Sequence, residues 1–121
     1  ASRDAGTEDK FIVYYFHITK RCATCLRIEK YTNEAIITGF LPEMTIGKLE
    51  MSTINTDLAG NEHFLTDFEL STRSVVLAHM VDDEIVKWKN LVRVWELNNN
   101  REEFVNYITE ETREFLDSQN E

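Results

Sequence analysis

The sequence predicts one α/β domain, a central mixed β-sheet flanked by helices in the element order β-α-β-α-β-β-α. An eight-residue run from Phe11 to Ile18 is β-branched and aromatic apart from His17, the composition of a strand covered on both faces. A nearly all-apolar stretch from Ser74 to Val81 is separated by Asp82-Asp83 from Glu84 to Trp88, which reads as an antiparallel hairpin. The segments between and after these runs carry apolar residues at helical spacing.

The first strand, residues 11–18, belongs at the centre of the sheet because both its faces need cover. Ahead of it, residues 1–10 are polar, contain Gly6 and show no apolar periodicity, the pattern of a flexible tether. Thr19-Lys-Arg-Cys-Ala-Thr-Cys25 leads into a helix with Leu26, Ile28, Tyr31, Ala35, Ile36 and Ile37 as apolar positions. Gly39 is its expected stop, with Pro42 just beyond. Thr45 to Ile54 follows as a strand, with Ile46, Leu49, Met51 and Ile54 among polar residues. Asn55-Thr56-Asp57 is expected to cap a short helix carrying Leu58, Phe64, Leu65 and Phe68 on one face. After the hairpin, Phe104, Tyr107, Ile108, Phe115 and Leu116, with Glu103 three residues beyond an Asn100 cap, predict a C-terminal amphipathic helix. No internal repeat or linker divides residues 11–121, so they form a single domain.

A domain of 121 residues buries roughly two-thirds of its unfolded surface and needs no disulfide scaffold or structural metal to build a core. The two cysteines therefore call for another reason. An apolar content of 42% with a single proline excludes disordered and low-complexity classes. The net charge of −9, from 22 acidic and 13 basic side chains, argues against nucleic acid and anionic membranes as partners. No apolar run reaches the roughly 18–20 residues of a membrane helix. The chain opens at Ala1 without an initiator Met, which gives the expectation of a processed or trimmed product whose signal peptide has been removed.

Cys22 and Cys25 lie where strand passes into helix. Residues three apart on a helix have Cα atoms about 5 Å apart, inside the range a disulfide tolerates. The free N–H groups and dipole of a helix N-terminus favour a thiolate at the first cysteine. Local charge acts in the same direction: between His17 and Tyr31 stand Lys20, Arg21, Arg27 and Lys30 against Glu29 alone, a +3 segment that leaves −12 over the rest of the chain.

The order strand-CxxC-helix followed by β-α-β-β-α resembles the thioredoxin-like superfamily over residues 11–117. More closely, Val13-Tyr-Tyr-Phe-His17, Arg21-Cys-Ala-Thr-Cys25 and Glu29-Lys30 look like a bacterial thioredoxin-like family labelled as the ArsF-type nitrophenyl-compound nitroreductase subunit. That resemblance implies the fold and, because such proteins usually carry export signals, a periplasmic or envelope location. Nitro-group reduction would require a flavin or comparable carrier, and the chain shows no Gly-rich phosphate loop, so no cofactor is expected.

By resemblance, Cys22 is the nucleophilic cysteine and Cys25 the resolving one. Ala23 and Thr24 stand where reducing members have Gly-Pro and strongly oxidising ones Pro-His, so the direction of electron flow stays open. Arg21 replaces the Trp before the first cysteine, and Phe16 replaces a buried acid, leaving His17 as the nearest substitute for proton transfer. Arg21, Lys20 and His17 are thus the expected thiol-tuning residues. The family's cis-proline should fall near Thr72-Arg-Ser-Val75, where Ser74 or Val75 stands instead and becomes the expected groove residue. A cis bond to a non-proline residue costs about 2.5–4 kcal/mol, so the proline's roles in binding substrate backbone and keeping metals off the cysteines lack their usual residue.

The leading expectation is a thiol-disulfide oxidoreductase whose partner is a protein disulfide or dithiol. Its alternatives are a non-catalytic module holding a soft metal or an arsenical on Cys22 and Cys25, with His17 the one intramolecular candidate for a third ligand, an inert structural disulfide, and a partner-binding subunit. Two thiolates make only half of a tetrahedral site, so no resident metal is expected. His63 and His79 receive no role. Met44, Met51, Met80, Trp88 and Trp95 read as packing residues, and the acidic C-terminal helix as a solvated face. No Ser/His/Asp order, catalytic carboxylate pair, phosphate loop or HExxH is visible, and no feature of the sequence sets an oligomeric state.

Overall fold

The structure is a computed structural model that describes residues 9–20, 22–68 and 74–119. Its elements are β1 (Asp9–His17), α1 (Ala23–Thr45), β2 (Leu49–Asn55), α2 (His63–Asp67), β3 (Ser74–Val81), β4 (Glu84–Asn90), α3 (Val94–Leu97) and α4 (Arg101–Gln119). The four strands form one sheet in the order β2-β1-β3-β4. β1 runs parallel to β2 and antiparallel to β3, and β4 runs antiparallel to β3. A parallel pair joined by a helical crossover and extended by an antiparallel hairpin is the thioredoxin-like arrangement, with β1 central as its two-sided apolar pattern requires.

Alternation along β1 sends successive side chains into different layers. Phe11, Val13 and Tyr15 enter the main core with Ile28, Ala35, Ile36 and Phe40 of α1 and Phe104, Ile108, Phe115 and Leu116 of α4. Ile12, Tyr14 and Phe16 enter a second cluster with Val76, Ala78 and Phe68. Phe64 and Phe68 form part of that layer, their rings 5.7 and 5.6 Å from that of Tyr14. Met44, Met51 and Trp95 pack against the first cluster, Met80 and Trp88 against the second, in agreement with their reading as packing residues.

Several boundaries differ from the sequence reading. β1 starts at Asp9, inside the expected tether; residues 1–8 of that tether lie outside the described residues. α1 continues through Gly39 and Pro42 to Thr45. Phe40 interrupts it with φ −133° and ψ 25°, so Pro42 falls in the first turn of a new helical segment, where its missing N–H has no bond to lose. The terminating glycine is Gly47, at φ 82°, whose N–H donates to the Met44 carbonyl at 3.1 Å. Gly39 instead faces α4, where an added Cβ would lie 3.5 Å from Thr109 Cγ2.

Because α1 is longer, β2 begins at Leu49 instead of Thr45. Asn55 ends β2, and Thr56 to Gly60 form turns, leaving a second helix of only five residues. Leu58 is exposed and contributes nothing to its face. In the hairpin turn, Asp82 and Asp83 have φ of 53° and 70°, the left-handed values that a tight two-residue connection needs. β4 extends two residues past Trp88, and the short α3 was not predicted at all: four residues leave too little periodicity to detect. Asn100 caps α4 as expected, its Oδ1 accepting the Glu103 N–H at 3.1 Å.

Candidate functional site

β1 ends at His17, and a short loop delivers Cys22 to the N-cap of α1. Cys22 has extended backbone angles, φ −121° and ψ 166°, and its carbonyl accepts the first helical bond, from the Leu26 N–H at 3.0 Å. Its Sγ accepts the Cys25 N–H at 3.1 Å, the position normally taken by an oxygen of Ser, Thr, Asp or Asn. Cys22 and Cys25 form a disulfide with Cα atoms 5.0 Å apart, matching the helical spacing. Cys22 is exposed while Cys25 is 1% exposed. The first cysteine of the pair is open to solvent and the second lies in the core.

The motif is braced from three sides. From β1, the buried Tyr15 hydroxyl donates to the Cys25 carbonyl at 2.9 Å. From the end of β2, Asp57 Oδ2 accepts the Thr19 N–H at 2.9 Å, Asn55 Nδ2 donates to Thr19 Oγ1 at 3.1 Å, and Asn55 Oδ1 accepts the Asp57 N–H at 2.9 Å. Asn55-Thr56-Asp57 therefore caps the loop that leads to Cys22 and not a helix. From the turn after α3, Asn98 Oδ1 accepts from Arg27 Nη2 at 2.9 Å, and the same nitrogen lies 3.2 Å from Thr24 Oγ1.

Among the other residues singled out in the sequence, His17 stacks on Tyr15 with ring centroids 5.8 Å apart. Its Nδ1 lies 2.9 Å from the Ile18 carbonyl; a carbonyl only accepts, so Nδ1 is the donor in this contact. Lys20 is exposed in the loop. Arg21 lies outside the described residues, as do Thr72 and Arg73. Ser74 opens β3 opposite Phe16. Val75 is fully buried in the main core, and its carbonyl accepts the Leu91 N–H at 2.8 Å. The described residues contain no cis peptide bond and no cluster of three or more His, Cys, Asp and Glu placed to hold a metal ion.

His79 is buried and stacks on Phe11, and His63 pairs with Asp67 on the surface. No helix among the described residues is long and apolar enough to cross a membrane. Tyr15 and Asn98 escaped the sequence reading: a Tyr inside an apolar strand and an Asn in a turn give no local sign of touching residues 10 and 71 positions away.

No protein-family model matches the chain, and no curated protein matches it. A solved structure of thioredoxin from Fasciola hepatica aligns with a TM-score of 0.43 at 18% identity, over 81% of this chain and 81% of that one. The strand order, the strand directions and the placement of the cysteine pair themselves define the class: a thioredoxin-like fold carrying a Cys-x-x-Cys disulfide at the start of its first helix.

Proposed function

We propose that the protein is a thiol-disulfide oxidoreductase acting through Cys22 and Cys25. The observation that carries this reading is the asymmetry of the pair: an exposed cysteine at a helix N-cap, its sulfur already accepting a backbone N–H, with its partner buried one turn further on. In the reduced protein, that N–H and the positive end of the helix dipole favour a Cys22 thiolate.

The thiolate attacks one sulfur of a partner disulfide. A Cys22–partner bond forms as the partner S–S bond breaks, and the other partner sulfur leaves with the electron pair as a thiolate. Cys25 gives up its proton, attacks Cys22 Sγ and releases the second partner thiolate. Two electrons pass from the cysteine pair to the partner, whose two thiolates take up one proton from Cys25 and the other from solvent, and the reverse sequence oxidises a dithiol. Ser74 belongs to the expected groove, to which the fully buried Val75 offers no side-chain surface, and Lys20, His17 and Arg21 belong to the expected thiol environment.

The resemblance of the segment from Val13 to Lys30 to an exported family supports a bacterial envelope location, which fractionation of cells expressing the gene tests. Cys22→Ser is expected to abolish exchange with a protein disulfide, and Cys25→Ser to accumulate the mixed disulfide seen by intact mass. Turnover retained in Cys22→Ser refutes the mechanism. Equilibration in glutathione buffers gives the potential: about −270 to −120 mV is the range of thioredoxin-like exchangers, and a couple below about −300 mV marks a structural disulfide. Protection of both thiols by stoichiometric Cu(I), Zn(II) or trivalent arsenic, without exchange, would transfer the pair to the binding-module reading.

A further inference from the structure

Arg27 is placed at a cost that the fold alone does not explain. Its Nη2 bonds to Thr24, inside the Cys-x-x-Cys sequence, and to Asn98, while its Nε is buried without a hydrogen-bond partner. Both acceptors are neutral, and no carboxylate among the described residues pairs with this guanidinium. A partly buried cation without a counter-ion, one of its N–H groups buried and unbonded, is unfavourable. So is a cation drawn back over the first turn of a helix, where the dipole favours anions. The first turn of α1 also contains no acidic residue.

The arrangement is held deliberately in place. Asn98 Nδ2 donates to the Trp95 carbonyl at 2.5 Å, which fixes the amide so that Oδ1 faces Arg27. The charged and titratable groups that the neighbouring elements bring toward this end of the molecule include, among the described residues, Tyr15 and His17 of β1, Lys20 after it, Asp57 after β2, and Arg93 with Glu96 at α3. Asp57 is engaged by the Thr19 N–H, and Arg93 pairs with Glu96 at 2.9 Å.

Resting on the exchange reading above, we infer that Arg27, oriented by Asn98, is a positioning residue that supplies the counter-charge for the Cys22 thiolate. The anion missing from the oxidised structure is the one that reduction creates. Arg27 thereby stabilises the dithiol form relative to the disulfide, and the α3–α4 turn takes part in setting the redox equilibrium from outside the cysteine motif. An opposite charge within about 4–6 Å shifts an ionisable group by about 1–3 pH units, and for Arg27, whose bonds run to Thr24 and Asn98, the expectation is set at the lower end, about one unit. That is a tenfold change in equilibrium, or about 30 mV for a two-electron couple.

The test compares Arg27→Gln, Arg27→Lys and Asn98→Ala with the unsubstituted chain, all of verified helicity and melting temperature. Two readouts are taken: the pH profile of Cys22 alkylation in the reduced protein, and the Cys22–Cys25 equilibrium in glutathione buffers. Arg27→Gln is expected to move the alkylation midpoint up by about one unit and, where Cys22 is ionised in both proteins, to favour the disulfide about tenfold. Arg27→Lys, which keeps the charge, is expected to recover at least half of each shift, and Asn98→Ala to give a smaller shift in the same direction. An unchanged profile in a folded Arg27→Gln overturns the inference. If that variant does not fold, Asn98→Ala and Arg27→Lys decide: profiles unchanged in Asn98→Ala, or a full one-unit rise in Arg27→Lys, overturn it equally. Alkylation is measurable whether or not the protein exchanges disulfides, so failure of the exchange reading shows separately, as a pair that does not equilibrate with glutathione.

Discussion

Replacing Tyr15 with Phe removes one oxygen atom and isolates the bond that ties the central strand to the cysteine helix. The hydroxyl is fully buried and donates to the Cys25 carbonyl at 2.9 Å. Deleting such a donor costs about 0.5–1.5 kcal/mol, and the ring itself stays packed among core residues. Across 121 residues, an unfolding entropy of about 2.1 cal/mol/K per residue converts 1 kcal/mol into about 4 °C of melting temperature. The bond ends on the backbone of Cys25 and leaves both sulfurs untouched, so it survives reduction, and its loss destabilises oxidised and reduced protein equally. By the thermodynamic cycle, the glutathione equilibrium should then move by less than twofold, about 9 mV. Urea unfolding of both forms, with the redox titration on the same preparations, checks this. Loss of stability in one form alone, with a tenfold shift in the redox equilibrium, would refute the picture of a rigid brace.

Three further outcomes follow from the α1–α4 layer. Thr32 and Thr112 have buried hydroxyls without hydrogen-bond partners, so Thr32→Val and Thr112→Val are each expected to stabilise by about 1 kcal/mol, read from urea midpoints; destabilisation would mean that the hydroxyl is bonded. Gly39→Ala should gain up to about 1 kcal/mol, because Gly39 lies inside a helix and the added methyl meets Thr109 at an ordinary contact distance; a loss would restore it as a stop. Glu43 accepts a hydrogen bond from Arg113 at 2.9 Å, and that bond is the main cause holding its carboxyl below the ordinary 4.5. With a folded-state pKa below the unfolded one, its contribution is fully present above pH 4.5 and is lost as pH falls through the lowered value. The stability advantage over Glu43→Gln should therefore shrink in acid, and parallel curves from pH 3 to 6 would contradict the pairing.

The parts of this fold that were legible in the sequence are those where one physical requirement dominates a whole segment. β1 must be covered on both faces, and its run of aromatic and branched residues states that directly. The Asp82-Asp83 turn and the Asn100 cap are local devices whose partners lie within a few residues, so sequence spacing suffices to identify them. Gly39 and Pro42 misled because each admits two uses. A glycine can end a helix or admit a neighbouring helix, and a proline can stop a helix or begin one; the choice was made by α4, which is remote in sequence, and by a backbone break at the adjacent Phe40 after which the helix resumes. Asn55-Thr56-Asp57 was recognisable as a capping sequence, yet what it caps lies 36 to 38 residues away in the loop before Cys22.

The two long helices supply an internal comparison that bears on where function lies. α4 begins as helix energetics favour, with an Asn cap bonded to the Glu103 N–H and with Glu102 and Glu103 in the first turn. α1 begins in the opposite way, with a cysteine at the cap, no acid in the first turn and Arg27 drawn back to Thr24. The same chain can start a helix well, so the poor start of α1 needs a compensating reason, and local departures of this kind concentrate at working sites. Each feature that is unfavourable to the helix is favourable to a thiolate: the cap atom becomes the anion, the omitted acid would have opposed it and the misplaced cation attracts it. An inert disulfide would keep the cap bond to the Cys25 N–H but gain nothing from the omitted acid or the cation drawn back to Thr24, which favours thiol exchange over a structural role for Cys22 and Cys25.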